Sequence, residues 1–228
     1  MSIVKKIMII ADSMAMPRWE LAYEETWPFF LFRDFPDLCI IDKCKRGGDT
    51  ERLVRGAGKY DSENQWDLLE LYRPDIVIIQ LGIVDCAPRY FNRHSLVSKI
   101  LFRIPHGKSI IKRFFTRKES NCYVKLKDFE DNIVNYLNRA QTISTTVFII
   151  TIAPPPEQFI KKNPNIKSQI QNYNDCLYSI EKRYNNVILI QSLSIDEMEK
   201  YSIDEFHIGA EGQRIQYKKI KSHLEKYV

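Results

Sequence analysis

The chain has 228 residues, 44% of them hydrophobic and 28% charged, the balance of a globular protein with room for one substantial α/β domain or two small ones. No apolar run approaches the roughly 20 residues that span a bilayer, which excludes a membrane-spanning class. The net charge of +5 hides an asymmetry: Arg89 to Lys127 carries 11 Lys and Arg against a single acid, Glu119, and the rest of the chain is mildly acidic.

In chain order, "MSIVKKIMII" sets two lysines before an apolar stretch, as a secretory signal does. The apolar run is too short and meets Asp12 instead of a small-residue cleavage site, so it reads as the first strand of a cytoplasmic protein. "LCIIDK" from Leu38 is a second strand candidate, and "DIVIIQL" from Asp75, β-branched and nearly continuous, is the strongest. The stretch between Asp85 and Leu126 is too long for a βα loop of about two to six residues, and reads as a lid-like insertion at about 86–125 with helices of its own. "LKDFEDNIVNYLNRA" places Phe129, Ile133, Leu137 and Ala140 on one helical face, with Asp128 as its expected cap. "TTVFIIT" from Thr145 is the fourth strand. A helix with Ile166, Ile170, Tyr173, Leu177, Ile180 and Tyr184 on one face follows, then "NVILIQ" from Asn186 as the fifth strand. The last helix is expected to bury Ile215, Ile220, Leu224 and Tyr227. This alternation implies right-handed crossovers and a parallel sheet of about five strands covered on both faces, in one domain over residues 1–228.

The chemistry-bearing residues gather where such a sheet ends its strands. Asp12-Ser13 follows the first strand, "RGGDT" with Gly47 and Gly48 the second, and "LGIVDCAPR" the third; "SIDEFHIGAEG" lies near the C-terminus. A serine hydroxyl becomes a good nucleophile only when a base takes its proton. A histidine doing so needs an acceptor on its other ring nitrogen. Ser13, His207 and Asp204, three residues before the histidine, supply those parts, and Gly48 lets a backbone N–H approach a reacting carbonyl. No phosphate-binding glycine pattern is present, and the five scattered cysteines lack metal-ligand spacing, so no metal or organic cofactor is indicated. His94, His106 and His223 read as solvated.

Taken together, "ADSMAMPR", Gly48, "GIVD" and "DEFH" resemble the four sequence blocks of the SGNH/GDSL hydrolase superfamily, along essentially the whole chain. The resemblance implies a three-layer α/β/α sandwich of flavodoxin-like type and a serine esterase. It makes Ser13 the nucleophile, His207 the base and Asp204 the orienting acid, with Ser13 and Gly48 as oxyanion donors. Two positions depart from the pattern: Ala11 replaces the first-block glycine, and Val84 replaces the third-block asparagine that would donate a side-chain N–H to the oxyanion. Losing such a donor typically costs about 3–4 kcal/mol of transition-state stabilisation.

Arg18 and Arg89 each follow a proline just beyond an active-site turn. Their guanidinium forks are expected to receive an anionic group of the substrate, such as a carboxylate or a sugar-linked phosphate, or to replace the missing donor. Asp85 is expected to hold a loop or to line the substrate site beside Arg89. The basic stretch 89–127, with Phe114 and Phe115, fits contact with anionic lipid or a lipid-linked glycan at the inner membrane surface; no nucleic-acid module is present. The expected activity is removal of an O-acetyl group from a carbohydrate. Transfer of the acyl group to a sugar hydroxyl, and non-catalytic glycan binding by a degenerate site, are the alternatives.

Overall fold

A computed structural model describes residues 4–54, 69–91 and 118–228. Five parallel strands form one sheet: β1 (Lys6–Ala11), β2 (Cys39–Asp42), β3 (Ile76–Gln80), β4 (Thr146–Ile150) and β5 (Val187–Ile190), in the order β2-β1-β3-β4-β5. All five strands read from the sequence are present. The central strands were the most legible because burial on both faces demands continuous apolar runs: every residue of β3 is buried, whereas edge strand β2 is exposed at both ends.

Eight α-helices accompany them among the described residues: α1 (Trp27–Asp34), α2 (Leu69–Tyr72), α3 (Ile83–Cys86), α4 (Leu126–Thr142), α5 (Glu157–Lys162), α6 (Ile166–Arg183), α7 (Ile195–Tyr201) and α8 (Ala210–Leu224). Alternation along each strand sends side chains to two separate cores. Met8, Ile10, Val77, Ile79, Val147 and Ile149 pack beneath α4 and α6, against Phe129, Ile133, Leu137, Tyr173 and Leu177. Ile7, Ile9, Ile78, Phe148 and Ile150 pack beneath α1 and α8, against Trp27, Leu31, Tyr217, Ile220 and Leu224. The result is a three-layer α/β/α sandwich.

Two helix readings are corrected. The α4 cap is Lys125, and Asp128 lies in the first turn, where its charge still complements the helix dipole. In α8 the buried face carries Gly212, Gln213, Gln216 and Tyr217 with Ile220 and Leu224; Ile215 is half-buried and Tyr227 lies beyond the helix. The apolar pattern missed this face because it carries two buried glutamines, one of them, Gln213, held by hydrogen bonds, and hydropathy does not register such burial.

The chain runs outward from β1 to β2 and then crosses back to β3. Helices therefore depart to opposite faces from adjacent strand ends, opening a crevice there. Gly82, just past β3, has φ +125°, and a Cβ on it would stand 2.6 Å from Ile152 Cδ1. Gly82→Ala is predicted to destabilise the protein by about 2–4 kcal/mol, read as a lower urea midpoint at unchanged m-value.

The basic insertion starts and returns at one place, where Lys118 N–H donates to Arg89 O at 2.9 Å and Asn121 Nδ2 to Tyr90 O at 3.0 Å. Residues 92–117, which hold His94, His106, Phe114 and Phe115, lie outside the described residues. No helix among the described residues is long and apolar enough to cross a membrane.

Candidate active site

The turn after β1 is built to present a hydroxyl. Asp12 N–H donates to Gln80 O on β3, and Asp12 Oδ1 accepts the Met14 N–H at 2.8 Å, which starts a single 3-10 turn over Ser13–Ala15. Gln213 of α8 holds that turn from the neighbouring layer: its Nε2 donates to Met14 O at 2.7 Å while its Oε1 accepts the Trp27 N–H at 3.1 Å. Trp27 Nε1 in turn donates to Gln80 Oε1 at 2.7 Å. The buried glutamines of α8 and β3 thus position the Ser13 turn, a task the sequence showed no sign of. Burial pushes the Asp12 carboxyl up to about 7, against the pull of the Met14 N–H, Arg52 and Arg18.

The connection between α7 and α8 folds back on itself. Ile203 N–H donates to His207 O, Gly209 N–H to Tyr201 O, and Ser202 pairs with Ile208. Inside this loop Asp204 Oδ1 accepts the N–H groups of Phe206 and His207 at 3.0 and 2.8 Å, which leaves Oδ2 facing His207 Nδ1 at 2.7 Å. His207 Nε2 lies 3.0 Å from Ser13 Oγ, 194 residues away in the chain. An ionised Asp204 can only accept, so the imidazole carries its proton on Nδ1 and turns the Nε2 lone pair to the serine O–H. The structure brings Ser13, His207 and Asp204 together.

Charge tunes the relay. Burial alone would raise the Asp204 carboxyl, but the two backbone N–H groups and the imidazole hold it below the ordinary value. For His207, burial lowers the imidazole and outweighs the attraction of Asp204, and Arg18 and Arg46 lower it further. Arg18 is the unforeseen member. Its Nη1 donates to the same Asp204 Oδ2 at 2.9 Å, and its side chain is only 13% exposed. The expectation that Arg18 offers its fork to the substrate is corrected: one arm is spent on Asp204. Arg46, exposed, donates to Pro17 O at the base of the same loop.

The sign of the Arg18 effect is testable. A base at His207 would have to be neutral, so kcat/KM for an ester would fall as pH drops through its pKa. Removing the Arg18 cation favours the imidazolium and raises that pKa. Arg18→Gln is therefore predicted to move the acid limb of the kcat/KM profile on p-nitrophenyl acetate to higher pH. An unmoved limb would show that the ion pair is merely structural.

The other expected site residues divide. Asp85, at the end of α3, is fully buried; its Oδ1 accepts both the Thr50 N–H at 2.9 Å and the Thr50 Oγ1 hydroxyl at 2.5 Å. Burial pushes its carboxyl up to about 7, with Asp49 and Asp12 adding to the rise. Asp85 thus fastens the loop after β2 to the loop after β3, the loop-holding role expected of it, and the other expectation, a place in the substrate site, is corrected. Gly48 lies in that fastened loop, and a Cβ there would come within 2.9 Å of Arg52 Nη1. Its N–H donates to Lys45 O at 3.0 Å, so as the loop stands this expected oxyanion donor closes a turn. The Ser13 N–H makes no hydrogen bond among the described residues. Arg52, buried, donates to Ala11 O at 3.1 Å and Lys43 O at 2.5 Å, joining the ends of β1 and β2.

Val84 is 8% exposed and shares a cleft with Ile83, Arg89, Phe159 and Phe206. Arg89 Cζ sits 4.6 Å above the Tyr123 ring. A second apolar pocket lies beside the Ser13 turn, lined by Met14, Ile83, Ile152, Ala153, Phe159 and Phe206. Phe206 links the two, stacked on Phe159 with ring centres 5.4 Å apart and tilted against the imidazole of His207 at 4.1 Å.

Neither a family model nor a curated protein matches this chain. Solved structures do. An esterase, EstA, from a Pseudoalteromonas species, in a form inhibited by monoethylphosphonate, aligns over 98% of both chains at 18% identity and TM-score 0.60. A GDSL-like lipase from Bacteroides thetaiotaomicron aligns over 98% of this chain and 89% of its own at 16% identity and TM-score 0.61. An acetyl xylan esterase, AlAXEase, aligns over 96% and 99% at 17% identity and TM-score 0.63. At these identities the likeness establishes a shared fold, that of the GDSL/SGNH esterases.

Proposed function

We propose that this chain, folded as the GDSL/SGNH hydrolases are, is a serine esterase that removes a short acyl group, in the first instance acetyl, from a carbohydrate hydroxyl. The observation that carries the reading is the unbroken hydrogen-bond path from Asp204 through His207 to Ser13. Ser13 Oγ attacks the ester carbonyl as His207 Nε2 takes its proton, giving a tetrahedral oxyanion next to the free Ser13 N–H. The imidazolium then hands that proton to the departing sugar alkoxide, leaving an acyl-enzyme. A water deprotonated by the same nitrogen hydrolyses it and releases the acid and the serine.

The apolar pocket flanked by Met14 and Phe206 suits the acyl methyl, and the acetyl xylan esterase among the fold relatives supports a carbohydrate ester. Of the two arginines assigned to an anionic group, Arg89 keeps that role, beside Val84. Val84 and the turn-closing Gly48 N–H favour the opposing reading, a glycan-binding protein with an inert site.

Acetate release from p-nitrophenyl acetate and from acetylated oligosaccharides, with and without a free sugar acceptor, separates the three. Hydrolysis predicts free acetate irrespective of acceptor, and transfer predicts a newly acetylated sugar. An inert site predicts no turnover of any ester, and that result would remove the enzyme reading. Contact of the 89–127 stretch with anionic lipid is part of the same proposal, tested by flotation with vesicles.

A further inference from the structure

Trp19 is 99% exposed, the most exposed of the large hydrophobic side chains among the described residues. It is also firmly presented. Arg18 and Leu21 bridge in antiparallel fashion, with Arg18 N–H donating to Leu21 O at 2.9 Å and Leu21 N–H to Arg18 O at 3.1 Å, so Trp19 and Glu20 form a two-residue turn closed at both ends. Leu21 anchors that turn in the interior at 1% exposure, and Arg18 ties it to Asp204 of the catalytic relay. Arg46 braces it from below through Pro17 O. The fold therefore fixes the base of this turn against the candidate active site and leaves the indole in water. Held in this way, the indole offers a flat apolar face to a ligand at the edge of the site.

We infer that Trp19 is a sugar-stacking platform at the rim of the ester site, holding a pyranose ring of the substrate beyond the one that bears the ester. The inference rests on the carbohydrate-ester reading above and names a binding determinant for it. A pyranose has an apolar face of axial C–H groups that matches a flat, electron-rich indole, and its hydroxyls project from the ring edge. Those hydroxyls meet water and the exposed Glu20 carboxylate beside Trp19. Because the turn is held before the ligand arrives, stacking costs little conformational entropy. A lipid surface is the poorer occupant: insertion needs several neighbouring apolar side chains, and this indole stands between Arg18 and Glu20.

The test compares Trp19→Ala and Trp19→Phe with the unaltered protein on p-nitrophenyl acetate and on acetylated xylo-, manno- and chito-oligosaccharides of one to six sugars. The expected result is unchanged kcat/KM on the aryl ester, with a loss of about tenfold for Trp19→Ala on chains of two or more sugars, and a smaller loss for Trp19→Phe. Titrating Ser13→Ala protein with the same oligosaccharides is expected to shift indole fluorescence, and the shift should vanish in the Ser13→Ala, Trp19→Phe double variant. Equal losses on aryl and sugar esters, or no loss on any oligosaccharide together with no fluorescence change, would overturn the platform. A change seen only with phosphatidylglycerol vesicles would overturn it in favour of membrane contact. If the unaltered protein cleaves no ester, the esterase reading falls, and the fluorescence titration still decides for or against sugar binding at Trp19.

Discussion

Ser13→Ala is expected to lower kcat/KM on p-nitrophenyl acetate by about 10⁴-fold or more while leaving the fold intact. Among the described residues the hydroxyl makes one hydrogen bond, to His207 Nε2, and the turn that carries it is held by others: Asp12 on the Met14 N–H, Gln213 on Met14 O and Trp27 on Gln80. Alanine removes the nucleophile and disturbs none of those bonds. The melting temperature should therefore stay close to that of the unaltered protein while turnover disappears. A large loss of stability alongside the loss of activity would mean that Ser13 serves the turn itself, and a retained rate would mean that the ester is attacked by some other group.

Asp204→Asn is the second large effect, again about 10⁴-fold on kcat. Oδ1 survives as the acceptor for the Phe206 and His207 N–H groups, so the loop keeps its shape. The atom facing His207 Nδ1 becomes an NH₂ donor, which forces the imidazole proton onto Nε2 and removes the lone pair that Ser13 needs. Arg18 loses its anion at the same moment, leaving a cation beside an imidazole whose charged form burial already disfavours. Both consequences act against catalysis, whereas in Asp204→Glu the charge remains and only the geometry changes. A pH–rate study in which Asp204→Asn kept the native kcat would show that the carboxylate has no part in the proton transfer.

The fold was legible because its signals are local and redundant. Strands β1, β3 and β4, buried on both faces, read as unbroken apolar runs, and the helical faces of α4 and α6 follow the 3.6-residue period. The face of α8 was misread where burial is achieved by Gln213 and Gln216. Ser13, Asp204 and His207 were legible through their combination: each short motif is weak alone, but a serine at the first strand exit and an Asp-x-x-His near the C-terminus stand in the order and at the strand ends where such a sheet converges them.

What escaped was the company these residues keep. No spacing rule relates Arg18 to Asp204, which are 186 residues apart, and the pattern Pro-Arg looked instead like a waiting anion site. For Asp85 the sequence left loop-holding and substrate contact both open, and tertiary packing settles on the first by placing it beneath Thr50 with no access to solvent. The glycine after β2 gave the close approach an oxyanion donor needs, while the direction of its N–H depends on the turn to Lys45, which sequence does not encode in any recognisable residue type.

Treatment with a fluorophosphonate, followed by mass mapping of the adduct, examines the activated hydroxyl itself, because only a serine with an adjacent base attacks such a phosphorus centre readily. The prediction is one adduct per chain, on the peptide containing Ser13, formed more slowly in His207→Gln and absent in Ser13→Ala. A native protein that stays unlabelled, or an adduct that persists in Ser13→Ala, would contradict the relay from Asp204 to Ser13.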